Sequence, residues 1–211
     1  MYDINFFQKS FPLKKNIVEG KLSTSNVDDI FAELDHLRRK NPIIYNIETT
    51  NYCNMKCVMC PRTMFMTRKN IWIDDEIFES LVSRINRHDD DKLEKFWQWL
   101  KEEYNQDVNE VSENGFYFSI VSHHLVLHGF GEPFLDKKLI KRIEFCSKNN
   151  IPTYFSCTPA TMTVDKAKKA MDAGLGVLKF SLDAMSDEKI REIRGKRANY
   201  GDSIDKILEL L

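Results

Sequence analysis

The sequence predicts an α/β fold: a partial (β/α) barrel of parallel strands and outer helices, with about four βα units. Three observations predict it. From residue 43 onward, short β-rich runs alternate with amphipathic segments of helical period, the rhythm of right-handed βαβ units on a parallel sheet. The polar clusters each follow one of those runs, and parallel α/β folds place their sites at the C-terminal edge of the strands. Finally, 211 residues with 42% hydrophobic and 30% charged is ordinary globular usage with enough interior for a sizeable core. A peptide, a coiled coil, a disordered chain and a membrane bundle are thereby excluded.

Residues 1–42 read as a helical preamble, in which Val27, Ile30, Phe31, Leu34 and Leu37 recur at helical spacing after the cap candidates Ser25 and Asn26. Pro42 stops that helix. The core then spans 43–211, opening with the β-rich run Ile43 to Glu48 that leads into a cysteine-bearing loop. A helix follows from about Asp74 to Arg87, with Ile77, Phe78, Leu81, Val82 and Ile85 as its apolar stripe. Around 86–124 lies an insertion. It carries Leu93, Phe96, Trp97 and Leu100 on an amphipathic segment and a polar turn region near Asn114 and Gly115, which suits a helix and loop or a short hairpin. Beyond it come strand Leu125 to His128, helix Lys137 to Lys148, strand Pro152 to Ser156, helix Asp165 to Asp172, strand Val177 to Leu182 and helix Ser203 to Leu211. The rhythm stops after a fourth unit. This is the expectation for the N-terminal portion of a longer barrel, whose last strand would present an edge to other chains.

Thirty-one basic residues against 32 acidic ones leave a net charge of -1, so nucleic acid and anionic membranes gain no electrostatic support as partners. The opening MYDINFFQKS lacks the pattern of a secretory signal, and no window approaches the ~20 apolar residues that span a bilayer. A cytoplasmic location is expected. Of five cysteines, Cys53, Cys57 and Cys60 fall within eight consecutive positions, a crowding that suggests metal rather than disulfide in a reducing compartment.

The chemistry gathers where these clusters meet the strands. Cys53 to Cys60 follow the first strand, Gly129-Phe130-Gly131-Glu132-Pro133 the second and Cys157-Thr158-Pro159 the third, while Ser181 and Asp183 close the fourth. Four segments thus converge on one mouth. C-x-x-x-C-x-x-C on a loop offers three thiolates to one soft centre. Zinc wants a fourth ligand, for which Cys146, Cys157, His123, His124 and His128 are candidates, whereas three ligands alone suit an iron–sulfur cluster with one iron left open. Three core thiols are the bland alternative. A non-catalytic iron–sulfur or zinc-binding module, serving as scaffold or electron carrier, is the competing class.

With Cys53-Asn54-Met55-Lys56-Cys57-Val58-Met59-Cys60-Pro61, Gly129 to Pro133 and Phe180-Ser181-Leu182-Asp183-Ala184 in this order, residues 43–211 resemble the radical S-adenosylmethionine (radical SAM) enzymes. The resemblance implies that Cys53, Cys57 and Cys60 hold a [4Fe–4S] cluster whose open iron takes the amino and carboxylate groups of S-adenosylmethionine. One electron, from a flavodoxin- or ferredoxin-type donor, would then cleave the sulfonium to a 5′-deoxyadenosyl radical. It implies further that Met59 covers the adenine, that Gly131 and Glu132 meet the methionyl ammonium, that Ser181 and Asp183 contact the ribose, and that Arg194 holds the carboxylate. Two departures stand out: Met59 replaces an aromatic residue, and Phe130 stands where a second glycine is usual. The run Met59-Cys60-Pro61-Arg62 with Met66-Thr67-Arg68 is similar to the branch carrying a SPASM-type extension. The substrate stays open among peptide, sugar nucleotide and cofactor precursor.

Other features carry less chemistry. Gly131 also suits close backbone approach to a ligand, while Gly-Glu-Pro alone reads as a turn. Arg194 reads equally as a solvated helix-end charge. Glu48 reads equally as an inward residue near substrate and as a partner for Lys or Arg. His123 and His124 read as a strand start, Trp72, Trp97 and Trp99 as packing residues, Cys157 as a bystander at the site edge, and Cys146 as a core thiol.

Overall fold

Alternation of β-rich and helical segments becomes a parallel sheet with helical crossovers. The computed structural model describes residues 3–21, 27–38 and 43–211. Its sheet has three parallel strands in the order β1 (Leu125–Val126), β2 (Thr153–Cys157) and β3 (Leu175–Phe180). Leu125 lies opposite Thr153 and Val126 opposite Tyr154, while β2 and β3 run in register from Thr153 and Leu175 to Cys157 and Phe180, with one irregularity between Thr153 and Tyr154.

Ten α-helices are present among the described residues: α1 (Ile4–Val18), α2 (Val27–Leu37), α3 (Pro61–Phe65), α4 (Asp75–Val82), α5 (Asp90–Tyr104), α6 (Glu113–His123), α7 (Leu139–Lys148), α8 (Val164–Asp172), α9 (Asp187–Arg194) and α10 (Tyr200–Leu210). The crossovers are α7, between β1 and β2, and α8, between β2 and β3. Leu139, Ile143 and Cys146 on α7, Ala167 and Ala170 on α8 and Phe155 on β2 are wholly buried, so one sheet face is sealed and the strand termini are held at one edge. The cap candidates Ser25 and Asn26 and the stop at Pro42 lie outside the described residues.

The structure adds α3 and α9 to the expected elements and departs from them in two further places. The first strand, expected at 43–48, is a single parallel bridge of Asn46 with Val126, built from Ile47 N–H to Val126 O and Val126 N–H to Tyr45 O, each 2.8 Å. It stands beside β1, where a first strand belongs. It goes no further because the Asn46 side-chain amide donates to His128 O at 2.6 Å, taking a carbonyl the ladder would need. Four units thus become three strands and a bridge. In the insertion, where a helix and loop or a short hairpin was expected, a second helix, α6, follows α5. The polar stretch near Asn114 and Gly115 is that helix's start: Ser112 Oγ accepts from Gly115 N–H at 3.0 Å, and Ser-Glu-Asn-Gly serves a helix cap as readily as a turn.

The chain divides into two compact units, Met1–Ile44 with Arg87–His123, and Tyr45–Asn86 with His124–Leu211. The first is built on Ile4, Phe96 and Leu100, with Phe7, Trp99, Tyr104 and Phe118 packed around them; Phe7 alone meets Phe96, Trp99 and Phe118 edge-on at 5.8–6.0 Å. The second holds the sheet and the cysteine loop.

Candidate functional site

The cysteine loop leaves a firmly tied base. Thr50 bridges Trp72, the Asn51 side chain bonds Lys69 O at 2.8 Å and Ile71 N–H at 2.7 Å, and Tyr52 stacks on Trp72 at 4.1 Å. At its far end Cys60 is the cap residue of α3, with Pro61 at the first helical position, where a missing N–H costs nothing. Arg62 Nε donates back to Asn51 O at 3.0 Å and Thr63 Oγ1 to Cys57 O at 3.0 Å. Between these ties, Cys53, Cys57 and Cys60 gather in one apolar cluster with Met55, Leu182, Ala184, Ile190 and Ala198. Burial pushes the Cys53 and Cys57 thiols above their ordinary range, against the Met55 amide at the first and the Arg194 guanidinium at the second.

Beside them the second motif turns inward. Glu132 is buried; its carboxylate accepts from Thr158 N–H at 3.0 Å and Phe134 N–H at 3.3 Å. Burial nonetheless pushes its pKa up to about 7, because two amides compensate only part of the lost hydration. Gly131 packs against the chain's own backbone, where an added Cβ would lie 1.9 Å from Thr50 O. Glu48 resolves as a structural partner, accepting from Phe130 N–H at 2.5 Å and from Arg68 at 3.0 Å.

Arg194 is no solvated helix end. Its side chain is 13% exposed, forms an ion pair with Asp183, and reaches Thr158 Oγ1 at 3.3 Å and Cys57 Sγ at 3.8 Å. Ser181 Oγ shares a 2.8 Å hydrogen bond with Ser156 Oγ, and Ser181 N–H donates to Cys157 O at 2.8 Å. Met59 is exposed. Cys53, Cys57, Cys60, Glu132, Asp183 and Arg194 therefore meet around Thr158, while Ser181 pairs with the neighbouring strand and Met59 stands at the surface. Thr158 and Ser156 carry no sequence signal of their own beyond their place at a strand end. His128 takes Ser156 N–H on its Nδ1 at 3.2 Å, and burial, then Lys179, pushes its pKa down to about 4. Cys146, with its pKa pushed up to about 12, and Cys157, pushed up likewise, are buried core thiols.

Three soft donors on one loop in an apolar setting fit an iron–sulfur cluster in kind. They are not drawn into a ligand group, since among the described residues no three His, Cys, Asp or Glu side chains are arranged to hold a metal ion.

Comparison with known proteins fits this arrangement. The family model of the Radical SAM superfamily matches residues 47–211, and the chain belongs to that superfamily. The family in general implies S-adenosylmethionine and a [4Fe–4S] cluster. No curated protein matches the chain in sequence. Among solved structures, methylornithine synthase (PylB) is 11% identical, with 80% of this chain and 41% of that chain covered at a TM-score of 0.50. BtrN in complex with AdoMet and 2-DOIA is 13% identical over 78% and 55%, at 0.45. TYW1 with a lysine-pyruvate adduct is 21% identical over 75% and 47%, at 0.42. At such identities the likeness is one of fold. The chain spans about half the length of each.

Proposed function

We propose that this chain holds a [4Fe–4S] cluster on Cys53, Cys57 and Cys60 and uses it to cleave S-adenosylmethionine reductively. The observation that carries the reading is the meeting of the three thiols with Glu132, Asp183 and Arg194 at the strand edge. When bound, such a cluster supplies the electron that breaks the sulfonium and yields a 5′-deoxyadenosyl radical for hydrogen abstraction. The protein's part is to bind, orient and exclude water. Glu132, poised between its two protonation states near neutrality, gives a cationic ammonium a carboxylate to ionise against. Arg194 offers a planar, two-pronged donor to a carboxylate, at the expense of its pairing with Asp183. Asp183, so released, joins Ser181 as acceptor for ribose hydroxyls, and the exposed thioether of Met59 lies over the adenine.

The electron donor is a flavodoxin- or ferredoxin-type protein, and the reaction runs in the cytoplasm, which suits five free cysteines. Among the described residues no helix is long and apolar enough to cross a membrane. The substrate is a peptide, a sugar nucleotide or a cofactor precursor, and the likeness of Met59-Cys60-Pro61-Arg62 with Met66-Thr67-Arg68 to the branch that carries a SPASM-type extension supports membership of that branch.

Anaerobic reconstitution with iron and sulfide tests the reading. The reconstituted chain should release 5′-deoxyadenosine under a strong reductant, and its cluster spectrum should change on adding S-adenosylmethionine, as no electron carrier with four protein ligands would. Cys57→Ala should lose the cluster and Cys146→Ala keep it. Iron and sulfide near wild type in Cys57→Ala would refute the assignment.

A further inference from the structure

The middle of the cysteine loop is seated on the end of a helix that lies 137 residues further along the chain. A helix leaves its last carbonyls without partners of its own, and α9 gives two of them to the loop: Val58 N–H donates to Ile193 O at 2.8 Å and Lys56 N–H to Arg194 O at 3.2 Å. The Cys57 thiol lies 4.0 Å from the same Arg194 carbonyl. Side chains follow the backbone, for Met55 and Cys57 pack on Ile190 of α9 and on Ala198 just beyond it, all four buried. The seat is closed by Gly195, at φ 93° and ψ 169°, a backbone region that is essentially glycine's alone. A Cβ at that position would also stand 3.2 Å from Lys56 Cβ and 3.3 Å from Lys56 N. Conformation therefore demands glycine, and the clearance beside Lys56 is tight.

We propose that Gly195 and the C-terminal end of α9 are the positioning element of the cysteine loop, fixing the backbone on both sides of Cys57. The proposal rests on the reading of Cys53, Cys57 and Cys60 as cluster ligands. It makes Gly195 a positioning residue that touches neither cluster nor cosubstrate.

The experiment compares the wild type with Gly195→Ala and with the control Gly201→Ala, whose added Cβ would meet nothing nearer than Asn199 Oδ1 at 3.6 Å. In the cluster-free chains, labelling of each cysteine by a thiol reagent is followed by mass spectrometry. Cys57 in Gly195→Ala should react at least about fivefold faster than in wild type, the low end of what a strained residue costs. Cys146 and Cys157, buried elsewhere, should keep their rates, and Gly201→Ala should match wild type throughout. After anaerobic reconstitution, Gly195→Ala should retain less than half the wild-type iron and sulfide. An unchanged Cys57 rate with unchanged iron would overturn the proposal, and so would equal acceleration of all cysteines, which marks general loosening. Should Gly195→Ala fail to fold, hydrogen exchange in the wild type decides: the amides of Lys56 and Val58 should be protected as well as those within α9, and rapid exchange would refute the seat. A wild type that takes up no cluster would sink the proposed function while leaving the labelling and exchange to judge the seat.

Discussion

Glu132 shows how a single buried side chain makes stability depend on pH. Its folded pKa of about 7 lies above its ordinary 4.5, so between those values the folded chain keeps a proton that the unfolded chain has lost. Stability from this group is complete below about 4.5, falls as pH rises through the window, and is level above 7. Glu132→Gln removes that loss. In the cluster-free chain it should stabilise the fold at pH 8 by up to about 3 kcal/mol and leave it near wild type at pH 4.5, which urea unfolding at the two pH values would check; equal effects at both would contradict the buried carboxyl. The sequence placed Glu132 at a strand end but could not show its neighbours. Gly131 was legible as a glycine with a close neighbour, and Thr50 O is such a neighbour, eighty-one positions earlier by residue number. Likewise the Arg194 and Asp183 pair spans β3's exit and a helix end, a meeting that neither residue type announces.

Elements were legible where their period was long. The strands and crossover helices β1, α7, β2, α8 and β3 lie within a few residues of their expected spans, because alternation and the helical stripe are properties of neighbours. The first strand and the second inserted helix were not, since a side-chain amide on His128 O and a hydroxyl on Gly115 N–H decide them. A third feature below the reach of periodicity joins elements together. Arg142 on α7, 3% exposed, stands 3.0 Å from the fully buried Asp136 and donates to Ile73 O at 2.8 Å, tying α7 to the segment before α4. Truncating Asp136 leaves the buried Arg142 charge with the half-exposed Asp75, 3.2 Å away, as its ionic partner. Asp136→Ala should therefore cost about 3–5 kcal/mol, read as a lowered denaturant midpoint. A change below about 1 kcal/mol would mean that water reaches the arginine.

At the scale of the whole molecule, the order of motifs along the chain was legible and identified the superfamily, whereas the joining of the N-terminal segment and the insertion into one unit was not. Phe7 and Phe11 find Trp99 and Tyr104 across most of a hundred residues, and no local pattern reports such a meeting. β3 ends the sheet order, with no strand on its outer side among the described residues, so its open edge is a template for pairing. Sedimentation velocity should show a dimer whose share grows with concentration; one unchanging species would dismiss the edge as a contact. The seat of the cysteine loop has its own consequence during synthesis. Ribosomes add about 5–20 residues each second, and 137 residues separate Cys57 from Arg194, so on the order of ten seconds pass between the emergence of the thiols and that of the helix end that orders them. For that interval the nascent loop is open to oxidants and stray metals. If the loop holds the proposed cluster, delivery of iron and sulfide would become productive only once translation has passed Gly195.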